Sequence, residues 1–123
     1  MKKFISTERK GFKMTFENGL TISVQWGYEN YCSNKCFTID ELDNTDFSCT
    51  KDIEADTAEV AIMIGNKFVK PYLILPNYRN TSSLIIGYQT PEEVLDIMNK
   101  VRQFDPKIIE NNEYFKVIIA ETN

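Results

Sequence analysis

The chain has 123 residues, of which 42% are hydrophobic and 26% charged, and these values are typical of one globular domain rather than a disordered protein. No apolar run approaches the ~20 residues needed to cross a bilayer, and the N-terminal stretch lacks the apolar core of a signal peptide. The absence of histidine excludes Ser-His and Cys-His nucleophile pairs. We therefore expect a single domain over residues 1–123 that does not bind membranes and is better suited to binding than to catalysis.

The net charge of −4 is unevenly distributed along the chain. Nine acidic residues and two lysines between Gly27 and Glu59 give this stretch a net charge of −7, which leaves +3 for the remainder. Because nucleic-acid-binding proteins show clustered Lys and Arg instead, we expect no direct binding to nucleic acid. The cysteines number three, and an odd count without a signal peptide fits reduced thiols in the cytoplasm.

The first predicted element is a β-hairpin over residues 12–26, where apolar and polar residues alternate on both sides of Asn18-Gly19. A two-residue loop would pair apolar with polar residues on each face. A three-residue loop, with Gly19 in the left-handed conformation, instead places apolar residues opposite one another: Phe16 and Leu20, Met14 and Ile22, Phe12 and Val24. We predict the three-residue loop, because the buried face sets the register of a hairpin.

Residues 27–57, named here the acidic segment, show no clean periodicity apart from a candidate short strand over residues 36–39. Connections of this length inside a compact domain tend to be functional or mobile. A second hairpin is predicted from the apolar arms 58–64 and 67–75 around Gly65-Asn66. Pro71 and Pro76 indicate that its second arm is an edge strand or leaves the sheet, and such an edge over residues 67–72 leaves a homodimer open.

A short strand over residues 83–88 precedes the clearest helix signal in the chain. Thr90-Pro91-Glu92-Glu93 has the pattern of a capping box with proline at the first helical position. An apolar stripe follows, formed by Val94, Ile97, Met98 and Val101 and joined by Leu95, and Asp105-Pro106 ends the helix. With a last strand over residues 114–120, the order predicts an α+β fold. Two hairpins and the later strands form an antiparallel-dominated sheet that is packed by one main helix.

The cysteines provide one candidate site. Cys32, Cys36 and Cys49 are candidate zinc ligands, but structural zinc takes four nitrogen or sulfur ligands and the chain offers three thiols and no histidine. An acidic residue would have to complete such a set. The alternative interpretation is that Cys32 and Cys36 are small buried apolar side chains. We therefore predict no metal site and no cofactor.

Aromatic and acidic residues provide the second candidate site. An aromatic and polar cluster is formed by Trp26, Tyr28, Asn30, Tyr31 and Asn34, in which tryptophan and tyrosine offer large contact areas with a polar group. The alternative is that Trp26 belongs to the core and the tyrosines fold over the end of the sheet. Together with the acidic run that follows, they define the predicted partner-binding residues: Tyr28, Tyr31, Asp40, Glu41, Asp43 and Asp46.

Three stretches in this order also carry a family resemblance: residues 16–27 with 30–34, residues 57–61, and residues 87–94. The chain resembles a group of small proteins of phages and prophages that have no assigned activity. The resemblance spans most of the chain and implies a phage or mobile-element origin and a role in the cytoplasm of an infected bacterium.

The favoured function is a non-enzymatic binding protein, a phage accessory or anti-defence factor that engages a host or defence protein with a basic surface through the acidic segment. The alternative is a small-molecule or metal-binding domain, with its site where the acidic segment meets Trp26, Tyr28 and the cysteines. An enzyme that uses carboxylates and a divalent metal ranks last, because no spacing singles out a convergent acidic pair.

Overall fold

The computed structural model describes residues 3–8, 10–27, 30–33, 53–78 and 83–110. Within them the strands are β1 (Phe4–Ser6), β2 (Gly11–Thr15), β3 (Leu20–Gln25), β4 (Ala58–Ile64), β5 (Lys67–Val69) and β6 (Ile85–Gln89). The helices are α1 (Pro91–Gln103) and α2 (Lys107–Glu110), and two short 3-10 helices span Pro71–Leu73 and Pro76–Tyr78. The predicted strands over residues 36–39 and 114–120 lie outside the described residues.

The six strands form one antiparallel sheet in the order β1-β2-β3-β4-β5, and β6 also pairs with β4. β3 pairs along one edge of β4, and the other edge of β4 is shared between β6 and β5. β6 pairs with its first half, from Ala58 to Ala61, and β5 pairs with its second half, from Ile62 to Ile64. This sheet with its single main helix confirms the predicted α+β fold.

The register of the first hairpin is the predicted one. Phe12 lies opposite Val24 and Met14 lies opposite Ile22, and Phe16 donates its amide to the carbonyl of Leu20. Gly19 has a φ of +88°, in the left-handed region that a side chain would disfavour. β1 was not predicted, because its three residues are too few to show an alternating pattern.

The second hairpin turns through Gly65-Asn66, with Ile64 opposite Lys67. Its second arm is paired only as far as Val69, and a 3-10 helix begins at Pro71. This early exit from the sheet confirms the interpretation of the two prolines.

The core lies between the sheet and α1. Leu20, Ile22, Val60 and Ile62 are fully buried in the two central strands, and Ile97 and Val101 of α1 pack in the same cluster. The predicted capping box begins α1, since Thr90 Oγ1 accepts from the amide of Glu93 and the Glu93 carboxylate accepts from the amide of Thr90. Leu95, which was expected to join the apolar stripe, is instead 59% exposed.

Candidate functional site

The predicted partner-binding residues divide between described and undescribed parts of the chain. Tyr31 is described and is 48% exposed. Tyr28, Asp40, Glu41, Asp43 and Asp46 lie outside the described residues. What the structure does show is how the two ends of the acidic segment, at residues 27–33 and 53–57, are attached to the sheet.

The two ends of the acidic segment are joined to each other. The backbone amide of Asp56 donates to Ser33 Oγ at 2.7 Å. Close by, Trp26 Nε1 donates to the carbonyl oxygen of Ile53 at 2.8 Å, which ties the far end of the segment to the residue that directly follows β3. The chain therefore enters and leaves the intervening residues 34–52 at one place on the molecule.

A buried carboxylate on β4 fixes the first of these ends. Glu59 is 9% exposed, and its Oε2 accepts from the backbone amide of Tyr31 at 2.8 Å. Its Oε1 accepts from Asn30 Nδ2 at 3.3 Å, and Asn30 Oδ1 in turn accepts from the amide of Gly27. Hydrogen bonds to an ionised acceptor are stronger than neutral ones, so a central strand holds the turn at residues 30–33.

A β-bulge in β6 supplies a further attachment. Ala58 pairs with Gln89 and Val60 pairs with Ile86, so Gly87 and Tyr88 together lie opposite the single residue Glu59. Tyr88 has a φ of +55°, and its amide donates to the carbonyl oxygen of Tyr31 at 2.8 Å. Bulges redirect side chains and often lie beside functional sites. Here the bulge brings an aromatic side chain of β6 to the base of the acidic segment.

Tyr31 and Tyr88 consequently form an exposed aromatic pair. Their ring centroids are 6.4 Å apart at an interplanar angle of 63°, in an edge-to-face arrangement. The two residues are 48% and 47% exposed, although both backbones are held in place by hydrogen bonds. Rigidly placed tyrosines offer contact area at a low entropic cost and are common in binding surfaces.

A mainly apolar cleft of about 460 Å³ lies on the helix side of the same region. Its floor comes from the end of β3 and the start of β4, and one wall comes from residues 53–57. The other wall comes from the first turns of α1, with Pro91, Val94, Leu95 and Met98. The exposed Leu95 is thus part of a concave surface rather than of the core.

The carboxylates at this cleft come from the described end of the acidic segment. Glu54 and Asp56 both line it and are exposed, and they are the ionisable groups among its described lining residues. The Trp26 ring also lines the cleft and packs edge-on against the Phe12 ring, with their centroids 6.3 Å apart. Trp26 packs against the core, as the second interpretation from the sequence expected, and it also lines the cleft.

Replacement of Glu59 by Gln is expected to loosen the turn at residues 30–33, because an amide nitrogen would then face one of the two donors. We expect hydrogen exchange of the Tyr31 amide to quicken about tenfold, equivalent to about 1.4 kcal/mol of local opening free energy. Exchange measured by NMR checks this, with the exposed Glu92→Gln as the matched control. Equal protection of Tyr31 in both variants would contradict the assigned role.

Thr57 carries an unusual polar atom in the wall of the cleft. Its Oγ1 is buried and has no hydrogen-bond partner within the described part of the chain. Thr57→Val removes this unsatisfied group at nearly constant volume, so we expect a gain of about 1 kcal/mol and a melting temperature about 4 °C higher.

The matched control for that prediction is Thr21→Val. Thr21 Oγ1 lies 2.7 Å from Thr15 Oγ1, so its removal leaves a partner unpaired and should lower the melting temperature. Scanning calorimetry of both variants suffices, and a decrease for Thr57→Val would show that its hydroxyl is satisfied.

The cysteine site is described only at Cys32, because Cys36 and Cys49 lie outside the described residues. Cys32 is 1% exposed, and its thiol lies 3.4 Å from the carbonyl oxygen of Gly27. Among the described residues, Cys, Asp and Glu do not form any group of three or more that could hold a metal ion.

The sequence singled out Tyr31 and Trp26 as candidate binding residues, whereas Glu59, Tyr88 and the cleft were not predicted. Glu59 is the only polar residue of the apolar arm 58–64, and the sequence analysis assigned no role to it. No local signal marks the bulge beyond the glycine at position 87.

The helices in the described part of the chain are too short or too polar to cross a membrane. Comparisons with protein-family models, curated proteins and solved structures found no match to this chain.

Proposed function

We propose that this chain is a non-enzymatic binding protein that engages a protein with a basic surface through its acidic segment. The proposal is supported chiefly by the attachment of both ends of that segment at one place on a rigid sheet. Ser33 bonds to Asp56 at 2.7 Å, and Glu59 bonds to the amide of Tyr31 at 2.8 Å. The stretch from Gly27 to Glu59, with its net charge of −7, is thus presented from a fixed base.

The charge and the aromatic pair have complementary functions in this proposal. A concentrated negative charge speeds the encounter with a basic partner and orients it, although it adds less to the final affinity. The tyrosine pair next to the segment provides contact area that does not need to be ordered on binding. The proposed contact residues are those predicted from the sequence, Tyr28, Tyr31, Asp40, Glu41, Asp43 and Asp46, together with Tyr88.

We propose the partner and its location from the resemblance of the chain to small phage and prophage proteins. Small phage proteins that act in an infected bacterium have their partners among host or defence proteins in the cytoplasm. We therefore place this chain among phage accessory or anti-defence factors. A basic partner would include proteins that handle nucleic acid, whose positively charged grooves suit an acidic segment.

Affinity capture with a charge-reversed variant tests this function. The bait is the wild-type chain or Asp40→Lys/Asp43→Lys/Asp46→Lys, each exposed to lysate of a bacterial host and analysed by quantitative mass spectrometry. We expect a basic protein that the wild type enriches at least about tenfold over the variant, because reversed charges repel it.

The matched control changes the net charge equally at exposed sites outside the acidic segment. Glu8→Lys/Glu17→Lys/Glu92→Lys should retain the partner, since all three residues are exposed and lie elsewhere. If both variants lose the captured partner equally, the effect depends on net charge alone. If both variants retain the partner equally, the acidic segment is not part of the interface. Either result contradicts the proposal.

The alternative function is a small-molecule or metal-binding domain, and the structure favours its small-molecule form through the cleft beside Trp26. At about 460 Å³ the cleft falls within the roughly 300–1,000 Å³ of typical ligand sites. Its metal form requires Cys36 and Cys49 together with Cys32. Elemental analysis of the purified chain tests that form, since stoichiometric zinc would support it and a metal-free protein would refute it.

A further inference from the structure

The cleft beside Trp26 has features that a protein-binding acidic segment does not require. Three separate parts of the chain converge on it: the end of β3 at Val24 and Trp26, residues 53–57, and α1 at Val94 and Met98. Most of the groups that they contribute are apolar. Such concave surfaces with a few polar groups at the edge are typical of small-molecule sites.

The walls of this cleft are held in place without a ligand. The Trp26 indole donates its only N–H to the carbonyl oxygen of Ile53 at 2.8 Å. Its ring packs edge-on against the Phe12 ring, with the two ring centroids 6.3 Å apart. The opposite wall belongs to α1, whose Ile97 and Val101 are anchored in the core. A preformed cleft binds its ligand without the entropic cost of ordering these groups.

The charges at the mouth indicate the ligand class. Glu54 and Asp56 are exposed on one rim, and they are the ionisable groups among the described lining residues. An anion would be repelled by both carboxylates, and a neutral apolar molecule would gain nothing from them. A positively charged group next to the rim is attracted by the negative charge of both carboxylates while its apolar body remains on the indole side.

We propose that this cleft binds a small organic cation. Its apolar body would lie against Trp26, Val94 and Met98, and its charged group would lie beside Glu54 and Asp56. This site shares residues 53–57 with the acidic segment, but it includes none of the residues proposed to contact the protein partner.

Trp26 provides the readout, because it is the single tryptophan of the chain and lines the cleft. The probes are phenylbutylammonium, phenylbutanol and phenylbutanoate, which share one apolar body and differ in charge. The change in tryptophan fluorescence on selective excitation of Trp26 reports the binding of each probe. Titration calorimetry measures the same dissociation constants without depending on fluorescence. We expect saturable binding, with the ammonium about tenfold tighter than the alcohol, a difference of about 1.4 kcal/mol, and the carboxylate weakest.

Two variants separate the apolar and the charged contributions. Glu54→Gln/Asp56→Asn should weaken the ammonium to the level of the alcohol and leave the alcohol unchanged. The matched control, Glu92→Gln/Asp96→Asn on the exposed side of α1, should leave the affinities of all three probes unchanged. Val94→Phe fills the cleft and should abolish binding of every probe, with its melting curve confirming that the protein is folded.

Three results would overturn the proposal: no saturable binding of any probe, equal affinity for all three, or binding that survives in Val94→Phe. If the probes fail and Val94→Phe also abolishes capture of the protein partner, the cleft belongs to the protein interface. The small-cation site is then refuted while the proposed function is retained.

Discussion

Asn18→Asp is expected to lower the free energy of unfolding by about 2–3 kcal/mol, a large effect for the exchange of one amide for a carboxylate. Asn18 Nδ2 donates to the carbonyl oxygens of Val101 and Phe104, both at 2.8 Å, and its Oδ1 accepts from the amide of Leu20. A carboxylate lacks the donor and places a negative charge against the carbonyl end of α1, where the helix dipole is already negative.

Urea denaturation with a matched control checks this expectation. Asn66→Asp makes the same exchange in the turn of the other hairpin, where the residue is exposed, and should change stability by less than about 0.5 kcal/mol. Asn18→Ala should be less harmful than Asn18→Asp, because it removes the donor without adding a charge. Equal stability of the two aspartate variants would show that the contact between hairpin and helix contributes little.

Gly11→Ala is expected to destabilise the protein by about 3 kcal/mol or more, because a side chain at this position would clash with backbone. A Cβ added to Gly11 would lie 2.1 Å from the carbonyl oxygen of Val24 and 2.9 Å from the Cα of Gln25. Neither atom can move unless β2 separates from β3, which would disrupt the sheet that carries Trp26.

Gly65→Ala is the matched control for this substitution. Gly65 has a φ of +58° and nothing within 4 Å of an added Cβ, so the cost there is backbone strain alone, about 1–2 kcal/mol. Thermal melts should therefore rank Gly11→Ala well below Gly65→Ala, and the opposite order would contradict the close approach of β2 to β3.

Local patterns in the sequence were sufficient to predict most of the fold. Apolar alternation around Asn18-Gly19 gave the correct register, because only one register buries every apolar residue on one face. The capping box at Thr90 located the start of α1, since its hydrogen bonds join residues three apart in the chain. Such features depend on neighbours that a single stretch of sequence contains.

The features that the sequence did not reveal depend on contacts between distant residues. Asn18 marks a turn in the sequence, but its amide also donates to the carbonyls of Val101 and Phe104 at the end of α1, more than 80 positions away. Glu59 is the one polar residue of an otherwise apolar strand, but only the structure shows that the turn at residues 30–33 and the bulge at Gly87–Tyr88 lie around it. Leu95 fits an apolar stripe by spacing, but only the packing of α1 shows that it lines a cleft.

These distant contacts bring the two proposed binding sites together on one sheet. Glu59 and the bulge of β6 hold the acidic segment and its tyrosine pair, whereas the end of β3 and α1 form the cleft. The two sites meet at residues 53–57, which end the acidic segment and also line the cleft. For substitutions at Glu54 and Asp56, binding of the protein partner and binding of the small cation therefore both have to be measured.

The most direct test of the proposed function is the salt dependence of the dissociation constant of the purified complex with the captured partner. Raising the salt from roughly 0.1 M to roughly 1 M shortens the Debye length from about 10 Å to about 3 Å. We expect the wild-type chain to lose at least about tenfold in affinity over this range, mainly through slower association. Asp40→Lys/Asp43→Lys/Asp46→Lys should bind weakly at both concentrations. An affinity that does not change with salt, or a variant that binds as tightly as the wild type, would contradict recognition through the acidic segment.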